Sequence, residues 1–465
     1  MKMKILPALL AAMTLVGATA SCSEDNPTFT YSQSNECLIT SVTLGKLVRT
    51  MHTLSSKGED STYTVTVTGS YYPMSIDQAN RYIYNLDSLP VGTDISRVTF
   101  AALNALGSVS IRGLETGQDS IFNMNDSTDF TKVRSFTVYA TDGVSNREYL
   151  MRVNVHKEEG DSMVWHKELT GHAELARMTA TRSLAVGNQI YLFGMNEGKS
   201  EVLISTLNDL DGGRFTEAAM PTQPSVQPQS VVRYHDYFYA LSSDSSRLVT
   251  SADGKEWTAL ATDFVPSALV TAGSNQLVAL RDGHFYSSFD GLTWTEEAAD
   301  EAAYLPNGTV CGTLLPSTLD KSFETLIAVG EKDGKAVVWN RNVDLSGKED
   351  FPWIRIPATE TSKYNLPEMK EYHLQTYDGA ALLTGLTADG KLAPLYWSKD
   401  RGRTWKRDRL KTPAAHAEGA IATAIDQNHF IWLFCGKTGE VWRGRINRLG
   451  WTPLPGAFEK SLQRR

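Results

Sequence analysis

Ser398-Lys399-Asp400-Arg401-Gly402-Arg403-Thr404-Trp405 is the stretch on which the fold turns, because the chain repeats its pattern three times. Ser251-Ala252-Asp253-Gly254-Lys255-Glu256-Trp257 and Ser288-Phe289-Asp290-Gly291-Leu292-Thr293-Trp294 keep the same order of serine, aspartate, glycine and tryptophan, all within 155 residues. A short strand precedes each turn, such as Leu248-Val249-Thr250 or His284-Phe285-Tyr286. The chemistry of the turn is local. An aspartate carboxylate can cap backbone N–H groups, glycine takes a conformation that other residues avoid, and tryptophan drops into an apolar layer. Such recurrence marks a body built from repeated units.

Six apolar strands, each starting from a turn, extend the pattern: Gln189 to Gly194, Tyr237 to Leu241, Gln276 to Leu280, Leu326 to Gly330, Ala381 to Gly385 and Phe430 to Phe434. Aromatic anchors follow them at Phe215, Trp257, Trp294, Trp353, Trp405 and Trp451, spaced by about 37 to 59 residues. Four-stranded propeller blades take roughly 40 to 50 residues each, so the spacing predicts six blades over residues 163–465. Trp165 resembles a further anchor without strands of its own. It reads as a linker strand, as part of the ring closure, or as the mark of a seventh blade. The repeated turn resembles the Asp-box of propellers such as sialidases, and Arg182 to Gly194 is also similar to a Kelch repeat. That resemblance implies a structural role at the ring's periphery for Ser251, Asp253, Gly254, Trp257, Ser288, Asp290, Gly291, Trp294, Ser398, Asp400, Gly402 and Trp405.

Upstream the period changes. Tyr63, Val65 and Val67 alternate with Thr62, Thr64, Thr66 and Thr68, the period of two that a half-buried strand requires. Phe136 to Ala140, the turn Asp142-Gly143, and Tyr149 to Val155 read as a hairpin. No long helical periodicity interrupts residues 37–157, which predicts an immunoglobulin-like sandwich, followed by the short charged linker Lys157 to Asp161. The whole chain is therefore expected to be all-β.

The first residues read as an export segment. Lys2 and Lys4 precede an apolar run from Ile5 to Val16, small residues follow, and Cys22-Ser23-Glu24-Asp25 comes next. This resembles a bacterial lipoprotein signal over residues 1–21, which implies lipidation of Cys22 and a polar, flexible stalk over 22–36. The acids after Cys22 are similar to the surface-export signal of Bacteroidetes-type lipoproteins, which implies an outer-membrane, surface-exposed protein in the cell envelope. Leader, sandwich and propeller together resemble a family of such lipoproteins known only as a domain of unknown function. Asp-Ser-x triplets place Ser61, Ser88, Ser120, Ser127 and Ser162 as candidate acceptors, by resemblance to Bacteroidetes-type O-glycosylation.

Charge and cysteine content narrow the chemistry. Loss of the leader takes two lysines and no acids, moving the formal charge from −8 to about −10, so a nucleic acid is a poor partner. After Cys22, only Cys37, Cys311 and Cys435 remain, far apart, which is no disulfide scaffold and offers no zinc spacing. No metal or cofactor is expected. Arg355-Ile356-Pro357 reproduces a triplet of the sialidase family but follows two Asp-boxes instead of preceding the first. Glu371 and Tyr372 would suit a base and nucleophile, yet neighbours on a strand point to opposite sides. His235, His284, His373 and His429 lie in or beside strands with no partner implied. The expected function is non-enzymatic binding of a glycan or protein partner by the propeller, with the membrane reached through the N-terminal lipid. The alternatives are a glycoside hydrolase at the central pocket, which needs two carboxylates about 5 to 10 Å apart or convergent arginines, and a docking subunit of an outer-membrane assembly.

Overall fold

The computed structural model describes residues 33–54, 59–207, 219–358, 362–408 and 411–463, so Cys22, the leader before it and Phe215 lie outside the described residues. The chain divides into two compact units, one running to Lys157 and rejoined by the segment from Pro453 on, the other spanning Glu158–Thr452. Strands dominate both, and among the described residues no helix is long and apolar enough to cross a membrane.

In the first unit a six-stranded sheet runs in the order Met74–Asp77, Tyr82–Asn85, Asn146–Arg152, Arg134–Tyr139, Ser108–Arg112, Asp119–Ile121. Its core holds Ile83, Phe136, Val138, Tyr149 and Met151, packed with Ile39 and Leu44 of a separate two-stranded sheet, Ile39–Leu44 with Phe100–Ala105. The hairpin read from sequence is present: Asp142 Oδ1 accepts from the N–H groups of Val144 and Ser145 at 2.9 and 2.8 Å, and Gly143 takes φ +74°. The alternating strand behaves differently. Asp60–Thr68 pairs only with Lys46–Leu54, and Tyr63 and Val65 stay 48% and 37% exposed while Val67 is buried. The pattern fixes which residues share a face; no second layer covers that face beyond the hairpin's base.

The second unit holds six four-stranded sheets among the described residues. The first sheet is Thr179–Val186, Gln189–Asn196, Lys199–Thr206 and Met220–Pro221. The next four begin with Val232–Tyr234, Ala268–Ala272, Val310–Pro316 and Met369–Tyr377, and each runs outward in chain order. The sixth runs Ile421–Ile425, Ile431–Cys435, Glu440–Ile446, and then takes its outermost strand, Met163–Leu169, from the start of the unit. The first strands touch in a closed circuit: each meets the next, Ile421–Ile425 meets Thr179–Val186, and the 3-10 turn Pro228–Ser230 completes the contact between the first and second sheets. Separate apolar layers fill the gaps between neighbouring sheets, including one that joins Ile190 and Leu192 of the first to Trp432 and Phe434 of the sixth. The arrangement is a β-propeller.

The closing strand also settles two of the anchors. Trp165 packs in the layer between the fifth and sixth sheets, over Gly444 of the facing strand, with its Nε1 donating to the Lys411 carbonyl at 2.8 Å. It is the sixth sheet's anchor, because the sixth sheet's outer strand comes from the other end of the unit. Trp451, assigned that role by spacing, instead lies against Gly160, where a Cβ would come within 2.9 Å of its ring. The segment read as a linker is held in place: Asp161 pairs with Arg448 at 2.9 Å, and Asn447 N–H donates to the Ser162 carbonyl.

Candidate functional site

The three repeated turns lie between the third and fourth strands of the second, third and fifth sheets, at the rim of the ring. Asp253 Oδ1 accepts from the N–H groups of Lys255 and Glu256 at 2.9 and 3.0 Å, and Asp290 Oδ1 from Leu292 and Thr293, both at 2.8 Å. Asp400 accepts from Thr404 N–H at 2.9 Å and from its hydroxyl at 2.7 Å. The serine hydroxyls accept from the glycine N–H groups of Gly254, Gly291 and Gly402 at 2.8 to 2.9 Å. Those glycines take φ of +75°, +74° and +87°, and a Cβ on them would press on Phe193, Tyr239 and Val338, each on the preceding sheet. Trp257, Trp294 and Trp405 each donate Nε1 to their own glycine's carbonyl and plug the layer shared with that preceding sheet. Trp353 takes the same place without the motif, stacked on Phe285 at 4.1 Å. The serine hydroxyls, one oxygen of each aspartate and the indole N–H groups of the turns are all engaged within the turns.

The centre is different. A cavity of about 160 Å³ opens where the inner strands converge, and it is lined by Arg182, Gln227, Gln229, Ser267, Thr309, Glu371 and His373 among others. Strands of the first five sheets contribute, the second through Leu241, together with the 3-10 turn Pro228–Ser230. Three of these inner strands carry a register shift beside the cavity: between Thr179 and Arg182, Leu269 and Thr271, and Met369 and Glu371. Ala180, two residues before Arg182, sits at φ +50°, a conformation an alanine adopts only under constraint. Bulges of this kind re-aim side chains and gather next to sites.

Glu371 and His373, two apart on one strand, share its inward face, with His373 Nε2 at 3.5 Å from Glu371 Oε2. Tyr372 between them also borders the cavity, but its ring packs into the layer between the fourth and fifth sheets, where burial pushes its phenol up to about 12 and its oxygen accepts from Met369 N–H. Gly385 lies against the Glu371 carbonyl so closely that no Cβ fits. Arg182 Nε is buried without an acceptor, as are the hydroxyls of Thr181 and Ser183 beside it. Desolvation lowers the Arg182 pKa, and the only charge-bearing group that perturbs it is the Cys311 thiol, which burial pushes up to about 11. Among the described residues lining the cavity there is one carboxylate, Glu371, and one arginine, Arg182.

Other residues singled out from sequence lie elsewhere. Arg355 is on an outer strand, paired with Glu301 and lying 3.6 Å over the Tyr304 ring. His284 pairs with Glu296 at 2.9 Å, and His235 and His429 are exposed turn residues at positive φ. Ser120, Ser127 and Ser162 are exposed, while Ser61 and Ser88 are half-buried. Among the described residues no group of His, Cys, Asp or Glu is arranged to hold a metal ion, and Cys37, Cys311 and Cys435 are buried and unpaired.

Residues 159–454 match the model of the DUF6242 beta propeller domain, and residues 42–153 match that of the DUF6242 N-terminal domain, a domain of unknown function. The chain belongs to the DUF6242 family. No curated protein matches this DUF6242 chain. Among solved structures it is similar to a structural genomics protein of unknown function from Bacteroides thetaiotaomicron VPI-5482, at 10% identity over 75% of this chain and 94% of that one, with a TM-score of 0.40. The WD40 domain of Toxoplasma gondii coronin is 10% identical over 64% of this chain and 93% of its own, with a TM-score of 0.35. A GH62 hydrolase in complex with xylotriose is 10% identical over 61% and 98%, with a TM-score of 0.33. Likenesses this distant transfer no chemistry to the DUF6242 chain.

Proposed function

We propose that this protein is a non-enzymatic binding module whose six-bladed propeller takes a glycan at its central cavity. An immunoglobulin-like sandwich acts as spacer, and lipidated Cys22 holds the molecule on the outer face of the outer membrane. The observation that carries the binding reading is the cavity's composition. The amide of Gln229 and the hydroxyl of Thr309 offer both donors and acceptors. Gln227 and Ser267 donate inside the fold, to Ser245 Oγ at 2.6 Å and to the Leu280 carbonyl at 2.8 Å, and keep their oxygens as acceptors, which together complement a sugar's hydroxyl groups. A glycosidase of the ordinary kind needs a second carboxylate facing Glu371, and a sialidase-like site needs several arginines and an exposed tyrosine. The single Arg182 and the inward burial of Tyr372 weigh against both. Six layers between six sheets support the blade number, and the shared core of the first unit's sheets supports the sandwich.

Screening the purified mature protein on a glycan array, alongside hydrolysis assays on sialosides and mixed glycosides, tests the reading. Binding without turnover, weakened by Gln229→Ala, is expected. Turnover abolished by Glu371→Gln would replace it with the hydrolase. For the anchor, Cys22→Ser is expected to move the protein from the detergent phase to the aqueous phase on partitioning. Attached O-glycans at Ser120 and Ser127 would add mass to the mature chain, and a mass equal to lipidated polypeptide alone rules them out.

A further inference from the structure

We infer that the cavity's ligand is acidic, a sugar bearing a carboxylate, and that Arg182 is the group that binds the charge. The inference rests on the reading of the cavity as a glycan site. A guanidinium has five donors and no acceptor, and it stays charged under all ordinary conditions. Burying even part of one without an acceptor is unfavourable, so arginines whose guanidinium enters the interior are ordinarily paired. Arg182 departs from that rule: its Nε has no acceptor, and no described carboxylate forms an ion pair with it. Glu371, the one carboxylate in the lining, lies within ion-pair distance of His373 instead.

The backbone around Arg182 is built against local preference. A register shift and the positive φ of Ala180 come immediately before it on the strand. Strain of this kind persists where the surrounding structure imposes it, and it clusters where a side chain must be aimed. Here the aim is into the cavity. Neutral partners complete the lining, with Gln227, Gln229, Ser267 and Thr309 around a single cation. One positive charge among amides and hydroxyls suits one carboxylate on a hydroxylated ring better than a multiply charged phosphate, which draws clustered cations.

Calorimetric titration of the mature protein with D-galacturonate, D-glucuronate and N-acetylneuraminate, each beside its uncharged methyl ester, separates charge from shape. At least one acid is expected to bind about ten- to a hundredfold more tightly than its ester, the range of a charge-assisted hydrogen bond, with the margin shrinking as salt rises. Arg182→Gln should erase the margin while leaving the ester's affinity in place, and Arg182→Lys should retain part of it. A thermal melt and circular dichroism on both variants show whether the fold is kept. Equal affinity for acid and ester, or a margin that survives in Arg182→Gln, overturns the inference and leaves the glycan reading standing. If no sugar binds in either form, both fall.

Discussion

At the rim of the propeller, Asp253, Asp290 and Asp400 accept hydrogen bonds from groups two to four residues further along the chain, and their tryptophans are bonded and packed. At the centre, Arg182 Nε and the hydroxyls of Thr181 and Ser183 are buried with no partner at all. Both regions belong to one ring and use polar side chains on strand ends. They differ in whether the fold satisfies those side chains. Buried polar groups are ordinarily paired, because an unmade hydrogen bond in the interior costs about 1 to 3 kcal/mol. The turns at the rim are bonded within themselves, whereas the cavity keeps an arginine Nε without an acceptor, although other atoms of the ring, among them Trp339 Nε1 and Trp397 Nε1, are also buried without a partner.

The largest expected effect is at the rim. Trp405 is 2% exposed and fills the layer between the fourth and fifth sheets. Trp405→Ala should destabilise the protein by about 3 to 5 kcal/mol, read from chemical denaturation, while ligand affinity of the folded fraction is unchanged. A loss under 1 kcal/mol would mean that the repeated turns do not hold the sheets together. Gly385→Ala is the intermediate case, since it joins the two regions. A Cβ there runs into the Glu371 carbonyl, so the inner strand must move, at a cost of about 3 kcal/mol. Unlike the tryptophan, it should weaken binding as well, because Glu371 and His373 move with the strand. Stability lost with affinity intact would place those two residues outside the site.

How much of this was legible in the chain follows the same division. The rim turns are encoded within eight residues each, so their order and spacing gave both the fold and the place of the tryptophans. The cavity draws one or two residues from each of several strands far apart in sequence, and nothing local marks them. Arg182 could have been noticed as the lone charge in its strand, Thr179–Val186, yet in sequence it looked only like the start of a repeat. Alternation did separate Glu371 from Tyr372, but it implied no partner for His373, which the structure places beside Glu371. The spacing of anchors erred at Trp451, because ring closure brings Trp165 from the opposite end of the unit. In the first unit, alternation assigned Tyr63 and Val65 to a covered face, which periodicity alone cannot guarantee.

A smaller effect tests whether the rim carboxylates contribute as charges. Desolvation works against ionised Asp400, but the Thr404 hydroxyl, its N–H and the Ser398 hydroxyl together outweigh it and hold the carboxyl below its usual range. A group depressed in the folded state contributes stability that is present above its unfolded pKa, ~3.9, and is lost as pH falls through the lower folded value. Asp400→Asn should therefore destabilise by about 1 kcal/mol near neutrality, with the difference from the parent shrinking once the pH drops below about 4. A difference that does not change with pH would assign the effect to shape alone.

The smallest effect separates the regions most cleanly. If Arg182 is held for a ligand, removing its charge should not harm the protein, because no ion pair or hydrogen bond inside the fold is broken and a buried Nε without an acceptor is removed. Arg182→Gln is expected to leave stability within about 1 kcal/mol of the parent, or to raise it, by denaturation without sugar present. Stability–function trade-offs have this sign, opposite to every rim substitution. A loss of several kcal/mol would instead make Arg182 part of the ring's own architecture, and the contrast between centre and rim would disappear.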